Sequence, residues 1–197
     1  MSTSTAPTTV QIPAGTWTID PSHSEVGFSV RHLMVSKVKG NFETFSGTIV
    51  IGEDPLASSV TAEVDLNSIN TRDAQRDGHL RSADFFDAEN HPKITFTVNN
   101  ISRTDDDDYK VTGNLTILGI TKPVVWEVED EGQATDPWGN DRWGFHAKTK
   151  INRKDFGLNW NVALEKGGWL VGDEVKIDID LETIYTPATQ PETAALA

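Results

Sequence analysis

The chain has 197 residues, enough for one domain with a substantial core, and it has no cysteine, which excludes disulfides and cysteine-ligated metal sites. Its 30 acidic and 17 basic residues give a formal net charge of −13, which disfavours binding to nucleic acids and to anionic membranes. No stretch approaches the roughly 20 apolar residues that span a bilayer, and the N-terminus lacks the features of a secretory signal. We therefore expect a cytoplasmic protein without a transmembrane segment.

The two ends of the chain differ in composition from the rest. Residues 1–14 and 186–197 are rich in Ser, Thr, Pro and Ala and carry almost no large apolar side chains. Such segments cannot offset the entropy lost on ordering, so both are predicted to be flexible tails. A single domain is then expected over residues 15–185.

Alternation of apolar and polar residues, which is typical of strands exposed on one face, is the main pattern of this domain. It occurs in eight stretches, near positions 26–32, 37–51, 60–67, 94–99, 111–117, 124–129, 143–151 and 175–182. In the second stretch the alternation changes phase, which predicts a β-bulge near Glu43–Thr44. One-sided strands joined by short turns pair antiparallel, and a closed barrel leaves them no exposed edge. The pattern therefore favours an all-β fold, an eight-stranded antiparallel barrel, over a sandwich.

Two segments interrupt the strand pattern. Residues 70–86, between the third and fourth strands, predict one short helix with Asn70 or Thr71 as its N-cap. The residues at helical spacing on one of its faces are Arg72, Arg76, His79 and Ala83. The second segment, residues 153–172, is unusually rich in large apolar residues for a loop, which predicts that it covers part of the domain.

No catalytic or metal-binding motif stands out. The five histidines never occur at the spacing of a known metal motif, and no nucleophile elbow is present. His23 and His32 lie at opposite ends of the first strand, roughly 30 Å apart at about 3.3 Å per residue, so they cannot share a metal ion. Asp20, His23 and Ser24 are expected to order a turn. We predict no catalytic residue, no metal site and no enzymatic activity.

The inward-facing rows point to a different kind of site. An eight-stranded barrel can either fill with side chains or hold one ligand. Small inward residues such as Ala62, Gly113 and Ala147 alternate with aromatic ones, which favours an elongated apolar channel; a fully packed core is the alternative. Polar groups that could meet a ligand at one mouth of the channel are His32, Arg76 and His79.

Six segments, in this order, give the chain a resemblance to a known family: GTWTIDPSHSEVGFSVRHL (15–33), GNFETFSGTI (40–49), RDGHLRSADFFDAENHPKITF (76–96), GNLTILGITKPV (113–124), INRKDFGLNW (151–160) and VGDEVKIDIDLE (171–182). They resemble the YceI-like family over about residues 15–185, and Gly15-Thr16-Trp17 resembles the signature at which a tryptophan helps to close a lipocalin barrel. The resemblance implies a lipocalin-like barrel with the helix and the long loop around its mouth. It also implies a homodimer and a bound isoprenoid lipid, with no other cofactor.

These inferences combine into one hypothesis, a non-enzymatic carrier or storage protein for a polyprenyl or quinone-like lipid. The head of the lipid is placed near His32, Arg76 and His79, and its cover is formed by Phe156, Leu158, Trp160 and Trp169. Its tail is placed among ten inward residues: Val26, Phe28, Val30, Phe42, Val64, Phe96, Leu115, Ile117, Trp126 and Phe145. Two alternatives are an enzyme acting on an isoprenoid or quinone precursor, and a stress-associated interaction protein with a filled barrel.

Overall fold

The computed structural model describes residues 13–165 and 167–187, so most of the two predicted tails, 1–14 and 186–197, lies outside the described residues. The described part contains one α-helix, α1 (Ala74–Arg81). Its strands are β1 (Gly15–Ile19), β2 (Glu25–His32), β3 (Ser36–Phe42), β4 (Phe45–Ile51), β5 (Ser59–Asp65), β6 (Ile69–Asn70), β7 (Lys93–Arg103), β8 (Asp108–Ile117), β9 (Ile120–Thr135), β10 (Asp141–Asn152) and β11 (Val171–Pro187).

The strands close into an antiparallel barrel. Neighbours around it follow the order β1, β4, β5, β7, β8, β9, β10 and β11, and β11 pairs with β1 to close the ring. β1 and β2 together form one strand of the barrel, and β3 and β4 together form the next. The first part of β11 therefore pairs with β2 and its last part with β1. The predicted eight-stranded barrel, with its helix between the third and fourth barrel strands, is confirmed.

The phase change of the second barrel strand has a clear structural origin. β3 ends at Phe42 and β4 begins at Phe45, so Glu43 and Thr44 form a break between two strands where a bulge was expected. Phe42 and Phe45 are both buried on the inner side of the barrel. Glu43 and Thr44 belong to neither β3 nor β4. Across this break the inward-facing positions change from even to odd residue numbers, so that both phenylalanines stay inside the barrel.

The two ends of the barrel are built differently. At one end, here termed the helical end, lie the β2–β3 turn, the segment from β5 to β7 with α1, the β8–β9 turn and the segment from β10 to β11. At the other, termed the loop end, lie the connections β4–β5, β7–β8 and β9–β10. No helix in the described ranges is both long and apolar enough to cross a membrane.

The helix begins later than predicted. Asp73 is the N-cap, because its carboxylate accepts the backbone N–H groups of Gln75 and Arg76 at 3.1 Å each. Thr71 has another role: its backbone N–H and its hydroxyl donate to the buried Asp77 carboxylate at 2.9 and 2.6 Å. The N-cap prediction of Asn70 or Thr71 is therefore wrong, since Asp73 is the acceptor nearest to the first free N–H groups.

Trp17 is the centre of a core cluster on the loop-end side of the barrel. It is fully buried, and its ring centroid lies 5.3 Å from that of Trp143 and 5.0 Å from that of Tyr185. Ile51 and Phe145 complete the cluster. This tryptophan packs β1 against β10 and β11, where the barrel closes.

An ion cluster ties the β1–β2 break to the β9–β10 turn. Arg142 contacts the carboxylates of Asp20, Glu182 and Asp136 at 2.6, 2.9 and 2.9 Å. Asp20 also accepts the Ser22 hydroxyl at 2.6 Å, and His23 lies 3.0 Å from it. Asp20 and His23 order a turn, as predicted. Hydrogen bonds from Ser22 first, then from His23 and Arg142, hold the pKa of Asp20 well below its usual range.

We expect this cluster to make stability sensitive to acid. Hydrogen bonds from Asn140, and to a smaller extent from Arg142, lower the pKa of Asp136 from 3.8 to about 2. A depressed carboxyl pKa contributes stability above the unfolded value, and this contribution is lost as the pH falls through the folded value. Denaturant unfolding between pH 4 and pH 2, roughly the interval between these two pKa values, should therefore show a shallower loss of stability for Asp136→Asn than for the wild type. Asp105→Asn, at an exposed hairpin tip, is the control, and equal slopes for all three proteins would contradict the assignment.

Candidate functional site

The barrel encloses a cavity of about 1420 Å3. This exceeds the roughly 300–1000 Å3 of typical small-molecule pockets, and it is far above the volume that scattered buried waters occupy. The inner rows of the strands line it, so the predicted channel is present and the alternative of a fully packed core is wrong.

Glycines in the wall keep the centre of the cavity open. A Cβ added at Gly40 would lie 2.5 Å from Cζ of Phe28, and one at Gly113 would lie 2.5 Å from Cε2 of Phe96. The outer atoms of each aromatic ring therefore occupy the space that a Cβ would need on the neighbouring strand, and a larger residue there would displace the ring. The small-beside-aromatic pattern of the sequence produces the channel in this way.

The predicted tail-binding residues share this lining. The ten residues assigned to the tail all line the cavity, and so does Leu158 from the predicted cover. Further lining residues come from the same alternating rows, including Val60, Val111, Val128, Val175, Ile177, Ile179 and Leu181. The period-two reading located the inner wall correctly.

The cavity opens at the loop end. Its lining there reaches exposed residues of the β4–β5 and β7–β8 connections and of the strand bulge in β9. Carboxylates dominate this rim: Glu53, Asp54, Asp106, Asp107, Asp130 and Glu131. The one cation of the described rim, Arg103, donates to the backbone oxygens of Asp105 and Asp106 and lies 3.7 Å from the Asp106 carboxylate. The electrostatic field at this opening is therefore negative.

The helical end is closed. Phe85 and Leu158 are buried there, with Leu80 and Phe86 beside them on the lining. The His79 ring stacks edge-on against Phe85 and Trp160, with centroids 5.1 and 4.7 Å apart. The predicted cover is therefore present at this end. It closes the barrel there, whereas the sequence analysis expected it to surround an open mouth.

None of the three residues predicted at a polar mouth lines the cavity, because each has other contacts or another position. Arg76 donates to the hydroxyl and the carbonyl oxygen of Thr71 at 2.7 Å each. His79 lies 3.0 Å from the Asp84 carboxylate, outside the ring of Phe85. His32 ends β2 beside the β2–β3 turn, and it does not line the cavity.

The remaining cover residues also lie off the lining. Phe156 is buried in the core cluster with Leu158 and Val124, and Trp160 packs on the outer side of Phe85. Trp169 is half exposed. Of these four residues, Leu158 alone lines the cavity, together with Arg153 and Val171 from the same segment.

Arg153 holds the cover in place, a role that the sequence reading missed. Its side chain is 3% exposed, and it donates to the carbonyl oxygens of Gly172 and Trp160 at 2.9 Å each and to that of Leu158. Asp173 lies 3.3 Å from the guanidinium. Burial lowers the pKa of Arg153 from its usual value. The available signal was a lone arginine between a strand and an apolar loop whose carbonyls would need donors.

Within residues 13–165 and 167–187, two groups on the outer surface combine a histidine with carboxylates. Asp20, His23 and Glu182 already surround the Arg142 guanidinium, so a cation occupies that position. In the other group, His146 lies 2.8 Å from Asp180, with Asp178 nearby. The Asp180 carboxylate is the main cause that raises the pKa of His146. Neither group faces the cavity.

Comparisons with known proteins agree with the fold. The model of the YceI-like domain matches residues 17–183. A UPF0312 protein of Pectobacterium atrosepticum is 44% identical over 142 residues, which cover 72% of this chain and 73% of the relative. The YceI protein of Salmonella newport is 39% identical over 163 residues, 82% of each chain.

Solved structures show the same barrel. BcnA of Burkholderia cenocepacia superposes with a TM-score of 0.71 at 24% identity, over 83% of this chain and 98% of that one. A YCEI protein of Campylobacter jejuni superposes with a TM-score of 0.65 at 34% identity, over 85% and 96% of the two chains. A polyisoprenoid binding domain of Saccharophagus degradans does so with a TM-score of 0.68 at 17% identity, over 86% and 98%. On the match over nearly the whole barrel and on these identities, the chain belongs to the YceI-like family.

Proposed function

We propose that the barrel binds one long isoprenoid chain in its cavity, as a carrier or storage protein. The observation that carries this proposal is the apolar cavity of about 1420 Å3. Judged from the described lining residues, it opens to solvent at the loop end. An elongated apolar space with one wet end suits a hydrocarbon tail that carries a polar head. The polyisoprenoid binding domain of similar fold supports an isoprenoid rather than a fatty acyl chain.

Burial of the tail supplies enough free energy for tight binding. At about 0.8 kcal/mol for each buried CH2 group, a five-carbon isoprene unit contributes up to roughly 4 kcal/mol before the costs of association. Several buried units then suffice without any specific polar contact. This is one reason why we propose binding rather than catalysis. The other is that His32 and His79, the two histidines predicted at the mouth, do not line the cavity.

The charge of the loop end leads us to propose an uncharged head group. A phosphate at this opening would meet the carboxylates of Asp106, Asp107 and Glu131, and Arg103 is already engaged with Asp106. Like charges at a partly desolvated rim repel one another. A polyprenol or a quinone avoids this repulsion.

Titration of lipid-free protein with two ligands of equal chain length tests the proposed function. Tryptophan fluorescence should saturate with a polyprenol, because Trp126 and Trp143 line the cavity. The matching polyprenyl phosphate should bind about tenfold more weakly at low salt, and the difference should shrink as salt screens the rim. A fatty acid of similar length serves as the comparison for chain type.

The two parts of the proposal fail in different ways. If neither isoprenoid saturates the signal, the cavity does not bind such chains and the proposed function is wrong. If both bind equally at every salt concentration, the chain binds but the rim does not select the head group.

A further inference from the structure

The β2–β3 turn presents an apolar tip that the barrel does not use. Leu33, Met34 and Val35 expose 40%, 62% and 80% of their surface. Leu33 and Met34 are the two central residues of the turn, with φ angles of 51° and 62°. Asn-Gly is the favoured pair for such a turn, since bulky side chains are disfavoured in the left-handed region. The requirements of the turn therefore do not explain why these residues are apolar.

Neighbouring apolar residues enlarge the tip. The Leu33 N–H donates to the carbonyl oxygen of Leu170, and the Leu170 N–H donates to that of Val162, both at 2.9 Å. These bonds place the half-exposed Val162 and Trp169 beside the turn. Leu33, Met34, Val35, Val162 and Trp169 are termed the apolar tip below. A contiguous exposed patch of this kind marks an interaction surface.

Basic residues flank the apolar tip, although the whole chain is acidic. Between Val26 and Phe42 the sequence has Arg31, Lys37 and Lys39 and no aspartate or glutamate, against a net charge of −13 overall. All three basic side chains are exposed, and Arg31 lies directly opposite Lys37 in the strand pair. The β2–β3 hairpin itself is therefore positive, although most of the molecule is negative. The start of β11, whose Gly172 lies against Arg31, adds Asp173, which pairs with Arg153 and Lys154, and Glu174.

An apolar tip with a basic surround fits an anionic lipid surface. Apolar side chains enter the boundary between head groups and acyl chains, while lysine and arginine contact the lipid phosphates. A second copy of this chain fits less well, because a two-fold contact through the tip would bring two sets of Arg31, Lys37 and Lys39 together.

We propose that the β2–β3 turn docks this barrel onto an anionic bilayer, with the apolar tip inserted and Arg31, Lys37 and Lys39 on the head groups. The carboxylates of the loop end then point away from the anionic surface, because the turn lies at the opposite end of the barrel. The cover formed by residues 153–165 and 167–170 faces the bilayer. Docking does not depend on what the cavity holds.

Co-sedimentation of the full chain with vesicles tests the docking. We expect binding to vesicles of phosphatidylcholine mixed with phosphatidylglycerol, weaker binding as salt rises, and little binding to phosphatidylcholine alone. The double variant Leu33→Asn/Met34→Gly should lose at least about tenfold in affinity for these vesicles, since it removes the apolar contact. It should unfold at the same or a higher denaturant concentration, because Asn-Gly suits the turn, so misfolding cannot account for the loss.

Charge variants separate the basic surround from net charge. Lys37→Gln/Lys39→Gln should lose about tenfold or more in affinity for the mixed vesicles. Lys110→Gln/Lys148→Gln makes the same change of net charge on exposed positions of β8 and β10, away from the β2–β3 turn, and it should bind like the wild type. Because the chain has no cysteine, Met34→Cys accepts a single environment-sensitive dye, whose emission should shift to shorter wavelength on binding.

Results of three kinds would overturn the docking proposal. The first is that wild type fails to bind the mixed vesicles. The second is that Leu33→Asn/Met34→Gly binds them as well as wild type does, or that the dye at position 34 stays in water when the protein is bound. The third is a wild-type dimer that this variant converts to a monomer, which would make the apolar tip an interface between copies.

Discussion

Replacing Arg153 by methionine is expected to lower the free energy of unfolding by about 3 kcal/mol or more, because each buried acceptor that loses its donor costs about 1 to 3 kcal/mol. Methionine keeps much of the apolar stem but donates no hydrogen bond, so the carbonyl oxygens of Leu158, Trp160 and Gly172 lose their donors. Denaturant unfolding followed by circular dichroism measures the change.

Lys154→Met is the matched control for this prediction. Lys154 is the next residue, but it is exposed and makes one ion pair, with Asp173 at 2.9 Å. Such a pair contributes about 0 to 1 kcal/mol, so this variant should be close to wild type. If the two variants lose equal stability, Arg153 does not hold the cover as the structure indicates.

A tryptophan inside the cavity is expected to weaken lipid binding by at least about tenfold. Ala62 faces the cavity from β5, opposite Gly47 and Phe96 of the neighbouring strands. The indole of Ala62→Trp would occupy space that a bound chain needs, and a loss of at least 1.4 kcal/mol corresponds to about tenfold in the dissociation constant. Titration with a polyprenol, against lipid-free wild type, measures the loss.

A neighbouring position provides the control for cavity filling. Thr61 precedes Ala62 on β5 and points outwards, where its hydroxyl lies 3.2 Å from that of Thr48. Thr61→Trp adds the same side chain outside the barrel and should leave binding unchanged. Val60→Trp repeats the inward change two residues away, in case Ala62→Trp folds poorly. Equal affinities of all these proteins for the polyprenol would show that the lipid binds outside the cavity.

The inner wall could be predicted from the sequence because its cause is local. In a strand, successive side chains point to opposite faces, so the rows through Phe28, Ala62 and Trp126 had to lie on one side. The break at Glu43–Thr44 was visible for the same reason, as a change of phase. Closure of the barrel followed from the one-sided strands and the short turns between them.

The position of the opening could not be predicted in this way. It depends on how connections that are distant in sequence meet at the loop end, and no local pattern indicates that the carboxylates of Asp106 and Glu131 lie at one rim. At the helical end, Arg76 and His79 were predicted to contact the ligand because they are polar and share one face of the predicted helix. The residues that face the cavity there are instead Leu80 and Phe85. The available signal was the apolar character of Leu80 and of Phe85, which follows the end of α1, since large apolar side chains are the ones that folding buries.

The net charge was also a poor guide to local surfaces. A value of −13 argues against anionic membranes for the molecule as a whole, but it averages over a hairpin whose only charges from Val26 to Phe42 are Arg31, Lys37 and Lys39. Screening limits electrostatic contacts to about 10 Å or less at moderate salt, so the charge near a contact decides the outcome.

The central claim, that the cavity holds an isoprenoid chain, is tested most directly by extracting purified protein under denaturing conditions and identifying the lipids by mass spectrometry. Wild type and Thr61→Trp should release a polyprenol or an isoprenoid quinone in near-stoichiometric amount, and Ala62→Trp should release little or none. Lipid-free wild type from a host that makes such lipids, or equal lipid in Ala62→Trp, would contradict the account.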